Sequence, residues 1–306
     1  MRFGRGLVFS VSLAVLLLAG PPPVAAADDG SGDDTAAMGA ALDVMTFNLR
    51  YAGTRPPNAW AERRPVVLEL LRRRAPDLVG TQEGLYRQLI DIDEGLPEYE
   101  WIGLGRDGGS HGEFMAVFYR RDRLVPLEYD HFWLSDTPEA IGSRSWGNRF
   151  SRMATWVRFR DRQSGCELYA LNTHLDHETP AARTKSAQLL VDRVSGFEPG
   201  IPVVLLGDFN AATTGPEAAD QVYATLTAEG AFVDTWNEAG QGEPAFGTFH
   251  DFGGTGNAAG GARIDWILTR GAFVTRSAGI DTFARDGQYP SDHFPVTARV
   301  ETPRCR

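Results

Sequence analysis

In Val203-Val204-Leu205-Leu206-Gly207-Asp208-Phe209-Asn210, four branched aliphatic residues run straight into a glycine, a carboxylate and an amide. A short apolar run bounded by turn residues reads as a buried strand. Its polar end makes poor sense as core and good sense as metal and phosphate chemistry. The pattern recurs along the chain: Val44-Met45-Thr46-Phe47 runs into Asn48, Leu78-Val79-Gly80-Thr81 into Gln82-Glu83, and the strand ending at Leu171 into Asn172-Thr173-His174. Arg263-Ile264-Asp265-Trp266 and Ser291-Asp292-His293-Phe294-Pro295 add two carboxylates and an imidazole. A lone Asp or Asn at a strand end is ordinarily a turn or cap residue, because its short side chain bonds to nearby backbone. That explanation weakens when six strand ends carry the same kind of group.

Outward from these motifs, strand-like runs cover residues 42–47, 78–81, 114–119, 155–159, 168–172, 203–206, 264–268 and 294–300. Helix-period stretches cover 65–74, 85–95, 180–194 and 216–229. Pro65, Pro180 and Pro216 each stand where a first-turn proline is tolerated. This is an α/β chain, and two packed sheets flanked by helices fit it. Periodicity alone does not separate that from an open doubly wound sheet; the polar strand ends decide the matter.

Arg2 and Arg5, an apolar run over 7–19 and Ala25-Ala26-Ala27 read as a secretory signal peptide over 1–27. The run falls short of the ~20 residues a membrane span needs, so no stable membrane insertion is expected. Residues 28–41, rich in Asp, Gly, Ser and Ala, read as a flexible leader. Residues 42–306 then form one catalytic domain, expected to be secreted and to act as a monomer. With 30 Lys and Arg against 40 Asp and Glu, the formal net charge is −10. Wrapping nucleic acid through bulk charge is excluded, since that mode needs many cations to displace counterions. Arg63-Arg64 and Arg72-Arg73-Arg74 read as a solvated helix face. Cys166 and Cys305 would sit in a compartment where a disulfide persists, but sequence leaves open whether they meet.

The ordered set Thr46-Phe47-Asn48, Gln82-Glu83, Asn172-Thr173-His174, Gly207-Asp208-Phe209-Asn210, Arg263-Ile264-Asp265 and Ser291-Asp292-His293 resembles the endonuclease/exonuclease/phosphatase superfamily over nearly the whole mature chain. The resemblance implies a four-layered α/β sandwich with two packed mixed β-sheets flanked by helices. It implies that Glu83, with Asn48 and Asp292, holds Mg²⁺ or alternatively Mn²⁺, hard ions that suit oxygen donors. By the same likeness Asp208 orients or deprotonates the attacking water, Asn210 and His174 contact phosphate oxygens, and Asp265 fixes the tautomer of His293. Glu113 is expected to support His174, and Arg152 to reach a substrate phosphate. Asp176-His177, Trp133-Leu134-Ser135, Thr248-Phe249-His250 and Arg50-Tyr51 are similar to a bacterial subgroup of hydrolases, making His177 and His250 candidate substrate contacts.

The expected partner is a phosphorylated small molecule or a phosphodiester, attacked by water at phosphorus. A secreted nuclease of DNA or RNA is the alternative; it is disfavoured because no concentrated basic loop supplies the row of phosphate contacts a duplex requires. A catalytically silent binding protein would be indicated by a missing core residue, and none is missing. A carbohydrate hydrolase with paired carboxylates does not account for Asn48, Asn210, His174 and His293.

Overall fold

Alternation along the strands builds the layers. The strands are β1 (Met38–Asn48), β2 (Leu78–Gln82), β3 (Gly84–Leu85), β4 (Tyr99–Ile102), β5 (Glu113–Phe114), β6 (Val117–Arg120), β7 (Leu124–Trp133), β8 (Met153–Asp161), β9 (Glu167–His174), β10 (Val203–Asp208), β11 (Val233–Asp234), β12 (Asp265–Arg270), β13 (Val274–Ile280) and β14 (Val296–Pro303). In β1, Val44 points one way, into a cluster with Leu78, Val157, Ala170, Leu206, Ile267 and Ala298. Met45 and Phe47 point the other way, against Val67, Leu70, Leu89 and Ile92. The first cluster lies between the sheets; the second lies under the helices α1 (Trp60–Arg74) and α2 (Tyr86–Gly95). On the far side, Leu171, Leu205 and Trp266 pack against Ala187 and Leu190 of α3 (Pro180–Ser195) and Leu226 of α4 (Val222–Thr227). Each fully buried aliphatic side chain contributes roughly 1.5–3 kcal/mol, so three such interfaces fix the stacking.

In this computed structural model, which describes residues 38–215 and 221–303, the first sheet has the order β13-β14-β1-β2-β6-β4 and the second β11-β12-β10-β9-β8-β7. Both are mixed: β1 runs parallel to β2 and antiparallel to β14, and β10 parallel to β9 and antiparallel to β12. The result is the expected four-layered α/β sandwich, not the open sheet. Two short helices, α5 (Thr235–Glu238) and α6 (Gly254–Asn257), complete the described elements. Among the described residues no helix is long and apolar enough to cross a membrane.

Several expectations are corrected. The leader ends sooner than residue 41, because Met38 to Ala41 already belong to β1, with Ala41 opposite Glu301. The run 114–119 is two strands: β5 pairs with β3, while β6 joins the first sheet. Pro65 lies inside α1, not in its first turn, since the helix begins at Trp60. Arg63 is not on a solvated face. It is fully buried and donates to the carbonyls of Leu49, Arg50, Tyr51, Asn58 and Pro290, tying α1 to the segment before Asp292. Cys166 is disulfide-bonded; Cys305, like the signal, residues 28–37 of the leader and Pro216, falls outside the described residues.

Candidate active site

The face that packs sheet on sheet turns polar at one end. Val44, Thr46 and Asn48 share that face of β1; Ala170, Asn172 and His174 share it on β9; Leu206 and Asp208 on β10; Ile267 and Asp265 on β12, by the period of two. Asp208 lies directly between His174 and Asp265 in the strand register, which makes a row of three across the second sheet. Beneath the row is a buried polar layer. Gln82 Nε2 donates to Asn172 Oδ1 at 2.7 Å and to Thr46 Oγ1 at 3.1 Å, and Asn172 Nδ2 donates to the carbonyls of Thr81 and Ala116 at 2.8 Å. Gly80 makes room for it, since a Cβ there would stand 2.8 Å from Asn172 Oδ1 and 2.9 Å from Leu206 Cβ.

Asn48 joins the sheets, its Nδ2 donating to Asp208 Oδ2 at 2.9 Å and to Glu83 Oε1 at 3.2 Å. Glu83 (φ 60°), Arg50 (φ 51°) and Asn210 (φ 47°) adopt left-handed backbone that side-chain-bearing residues rarely take, a strain that concentrates at functional sites. Glu83 and Asp292 face a common cation: the Arg50 guanidinium stands 3.8 Å from Glu83 Oε2 and 3.4 Å from Asp292 Oδ2. Burial, with the Glu83 carboxylate adding to it, holds the Asp292 carboxyl above its ordinary range. The two carboxylates meet around Arg50, and beside them Asn48 Oδ1 accepts the Arg50 N–H at 2.9 Å; carboxylate oxygens suit a hard divalent ion.

His293, just before β14 of the first sheet, reaches the second: its Nδ1 lies 2.9 Å from Asp265 Oδ2, and its Nε2 lies 3.8 Å from Asp208 Oδ2. Burial alone would lower the imidazole, but the Asp265 and Asp208 carboxylates outweigh it and raise it to about 10. Asp208 is pushed up to about 7 by burial and then by the Asp265 charge. Ligand atoms of Asp208, Asp265 and His293 lie within 4.8 Å of one another, so this triad is a second group able to hold a metal. Glu83 and Asp292 offer carboxylate oxygens alone, whereas the second group combines carboxylates with an imidazole.

His174 Nε2 lies 3.0 Å from Asn210 Nδ2 and 3.5 Å from Asp208 Oδ2. Burial, then the nearby charges of Arg152 and Arg106, keep the ring well below its ordinary value and neutral at pH 7. Asn210 is further set by its N–H donating to Asp208 Oδ1 at 3.0 Å. Arg152, 2% exposed, donates to His177 Nδ1 at 2.7 Å.

Two expected roles are not met. Glu113 does not support His174; it takes a 2.6 Å bond from Arg106, and His174 Nδ1 is buried without a hydrogen bond. His250 is not a substrate contact: it is 1% exposed, stacks on Phe294 at 3.9 Å and receives the Gly254 N–H at 3.3 Å, which is a packing role. Most of the remaining predicted residues line a cavity of about 410 Å³, although Asn48, Asp265 and Asp292 do not; Arg50, Tyr51, Arg106, Phe150 and Phe249 line it too. Those five were not assigned to the site from sequence. Arg50 and Tyr51 follow Asn48 closely enough to have been drawn in, whereas Arg106 and Phe150 belong to loops without pattern.

The model of the Endonuclease/Exonuclease/phosphatase family matches residues 45–293. The fold is similar to a solved mannosyl-6-phosphatase of Bacteroides thetaiotaomicron, 33% identical, TM-score 0.77, covering 85% of this chain and 99% of that one. It is also similar to an endonuclease/exonuclease/phosphatase of Bacteroides vulgatus, 32% identical, TM-score 0.79, covering 86% and 99%. Among curated proteins, nocturnin of Drosophila melanogaster is 26% identical over 181 residues, 55% of this chain and 26% of nocturnin. The chain thus spans about a quarter of that relative's length, and 59% of another curated relative, a viral one.

Proposed function

The chain belongs to the endonuclease/exonuclease/phosphatase family, and from that premise we propose that it is a divalent-metal-dependent phosphoesterase of small phosphorylated molecules, with sugar phosphates foremost. Family members are phosphoesterases and nucleases, so the chain is a hydrolase. The observation that carries the proposal is the meeting of Asn48, Glu83 and Asp292 with the His174–Asp208–Asp265 row and His293 at one end of the sandwich. Asn48, Glu83 and Asp292 would hold Mg²⁺, with Mn²⁺ as the alternative; when bound, such an ion neutralises charge on the phosphate oxygens. Asp208, which burial and then the neighbouring Asp265 carboxylate make basic near neutral pH, orients water and takes its proton. His293, fixed by Asp265, presents Nε2 and positive charge to the phosphoryl group. Asn210 donates hydrogen bonds to its oxygens as charge builds up, with neutral His174 holding the Asn210 amide in place at 3.0 Å, and Arg152 and His177 contact the phosphoryl group from the cavity wall.

The small-substrate reading rests on the cavity of about 410 Å³, the net charge of −10 and likeness to a protein described as a mannosyl-6-phosphatase. Tyr51 and Phe249, 43% and 46% exposed at the cavity, offer flat apolar faces to a ring-shaped leaving group. We further propose that the protein is a secreted monomer of a bacterial subgroup, cleaved after Ala27, which N-terminal sequencing of the exported form would check. The test of function is a side-by-side assay of the purified protein on mannose 6-phosphate and other sugar phosphates, a phospholipid headgroup, single-stranded RNA and plasmid DNA. The highest kcat/KM should fall on a sugar phosphate. A rate on plasmid DNA above every small substrate replaces this reading with the nuclease, and no hydrolysis of any of them points to a silent binder.

A further inference from the structure

Arg106 belongs to none of the motifs and has no part in the reaction as described. It sits in the loop between β4 and β5, 8% exposed, on the wall of the cavity that His174, Asn210 and Arg152 share. Its guanidinium is held on two sides: Nη1 donates to Glu113 at 2.6 Å, and the group lies 5.1 Å from the Phe150 ring centroid. Its carbonyl is pinned by Trp133 Nε1 at 2.7 Å. Arg152 is held in a parallel way, by His177 Nδ1 at 2.7 Å and by the Asp176 carboxylate 3.6 Å from its Nε. Each guanidinium keeps a buried Nε with no hydrogen bond. Glu113 and Asp176 offset part of the cost of burying these two charges, but the unbonded Nε atoms leave donor capacity on this wall that an anion could take. After burial, the charges of Arg152 and Arg106 are the next causes that hold the neighbouring His174 below its ordinary value, so both act at the reacting end of the cavity.

We infer that Arg106 and Arg152 form a two-guanidinium clamp for a terminal phosphoryl group, and that this clamp makes the site select phosphomonoesters over phosphodiesters. The inference rests on the phosphoesterase reading above. A monoester carries about −1.5 to −2 charges at pH 7 on three free oxygens. A diester carries one charge on two, with a second substituent where the third oxygen would lie. Arginine's planar fork of donors suits the former, and a fixed second fork adds discrimination that one does not supply.

The test uses the full chain with Mg²⁺. Arg106→Gln leaves the half-buried Glu113 without its cation, so the double variant Arg106→Gln/Glu113→Gln, which removes both charges, is measured beside it. Two quantities are read: the ratio of kcat/KM on para-nitrophenyl phosphate to that on bis-para-nitrophenyl phosphate, and the affinity for inorganic phosphate by calorimetry. The clamp requires that ratio to fall about tenfold or more and phosphate binding to weaken by a similar factor, as loss of a charged hydrogen-bonding partner does. An unchanged ratio with unchanged phosphate affinity in a folded variant overturns it and leaves Arg106 as a loop brace. If the unaltered protein cleaves neither ester while phosphate binding still depends on Arg106, the clamp stands and the phosphoesterase reading is what fails.

Discussion

At the end of the sandwich away from the cavity, Arg123 is buried between the sheets and each of its guanidinium nitrogens donates: to Asp161 at 2.7 and 3.1 Å, Asp77 at 3.1 Å and the Ala41 carbonyl at 2.7 Å. Asp161 also accepts from the Gln163 N–H and the Ser164 hydroxyl. At the cavity end the buried polar groups are left wanting. Asp265 Oδ1, His174 Nδ1, Gln82 Oε1, Asp176 Oδ2 and the Nε atoms of Arg106 and Arg152 have no hydrogen bond, and three residues there carry left-handed backbone. Both ends bury ions, but only one closes its hydrogen-bond account. A satisfied network fastens two layers; an unsatisfied and strained one is kept for a ligand, and the fold's stability must come from elsewhere.

The contrast breaks most sharply at Arg123. Arg123→Ala leaves Asp161 and Asp77 buried without a cation and should cost about 3–5 kcal/mol by urea unfolding, with turnover per folded molecule nearly unchanged. A small stability loss would remove the fastening role. The mirror experiment is at the cavity: His293→Ala or Asp208→Asn should lower kcat at least ~100-fold, about 2.7 kcal/mol of barrier, while the unfolding midpoint holds or rises. A collapse of the midpoint in both would mean that the two ends are built alike.

The smallest effect sharpens the comparison by its sign. Burial raises Asp161, but the bonds from Arg123, Gln163 and Ser164 outweigh it and depress the carboxyl below 3.8. A depressed carboxyl stabilises above its unfolded value and loses that contribution as pH falls through the folded one. Asp208 is raised to about 7, so its contribution is present below 3.8 and is lost as pH rises to about 7. In metal-free protein the stability gap between the parent and Asp161→Asn should therefore widen from pH 3 to 5. The gap for Asp208→Asn should move in the opposite direction between pH 4 and 7. Parallel trends would contradict the assignment.

Much of this was legible because the inter-sheet strands are apolar until their last residue, so Asn48, Glu83, His174 and Asp208 announce themselves. What escaped has a common cause. The edge strands of the two large sheets are β13, β4, β11 and β7, and none was read from sequence. An edge is half-covered and tolerates polar residues: β7 exposes Leu127 to Asp130 in mid-strand and carries Pro126. Arg63 was misread because a buried arginine satisfied by carbonyls looks in sequence like a surface one. Glu113 and His250 were assigned by their type, yet partners distant in sequence, Arg106 for one and Phe294 for the other, decide their roles.

The central claim is that Glu83 and its neighbours hold the ion on which hydrolysis depends. Its most direct test is hydrolysis of a sugar phosphate by chelator-stripped protein as Mg²⁺ is titrated back, for the parent and for Glu83→Gln. The account predicts no turnover in excess chelator, saturable recovery with Mg²⁺ in the parent, and a midpoint displaced at least ~10-fold to higher Mg²⁺ in Glu83→Gln. Full turnover in excess chelator, or superimposable Mg²⁺ curves for the two proteins, would contradict it.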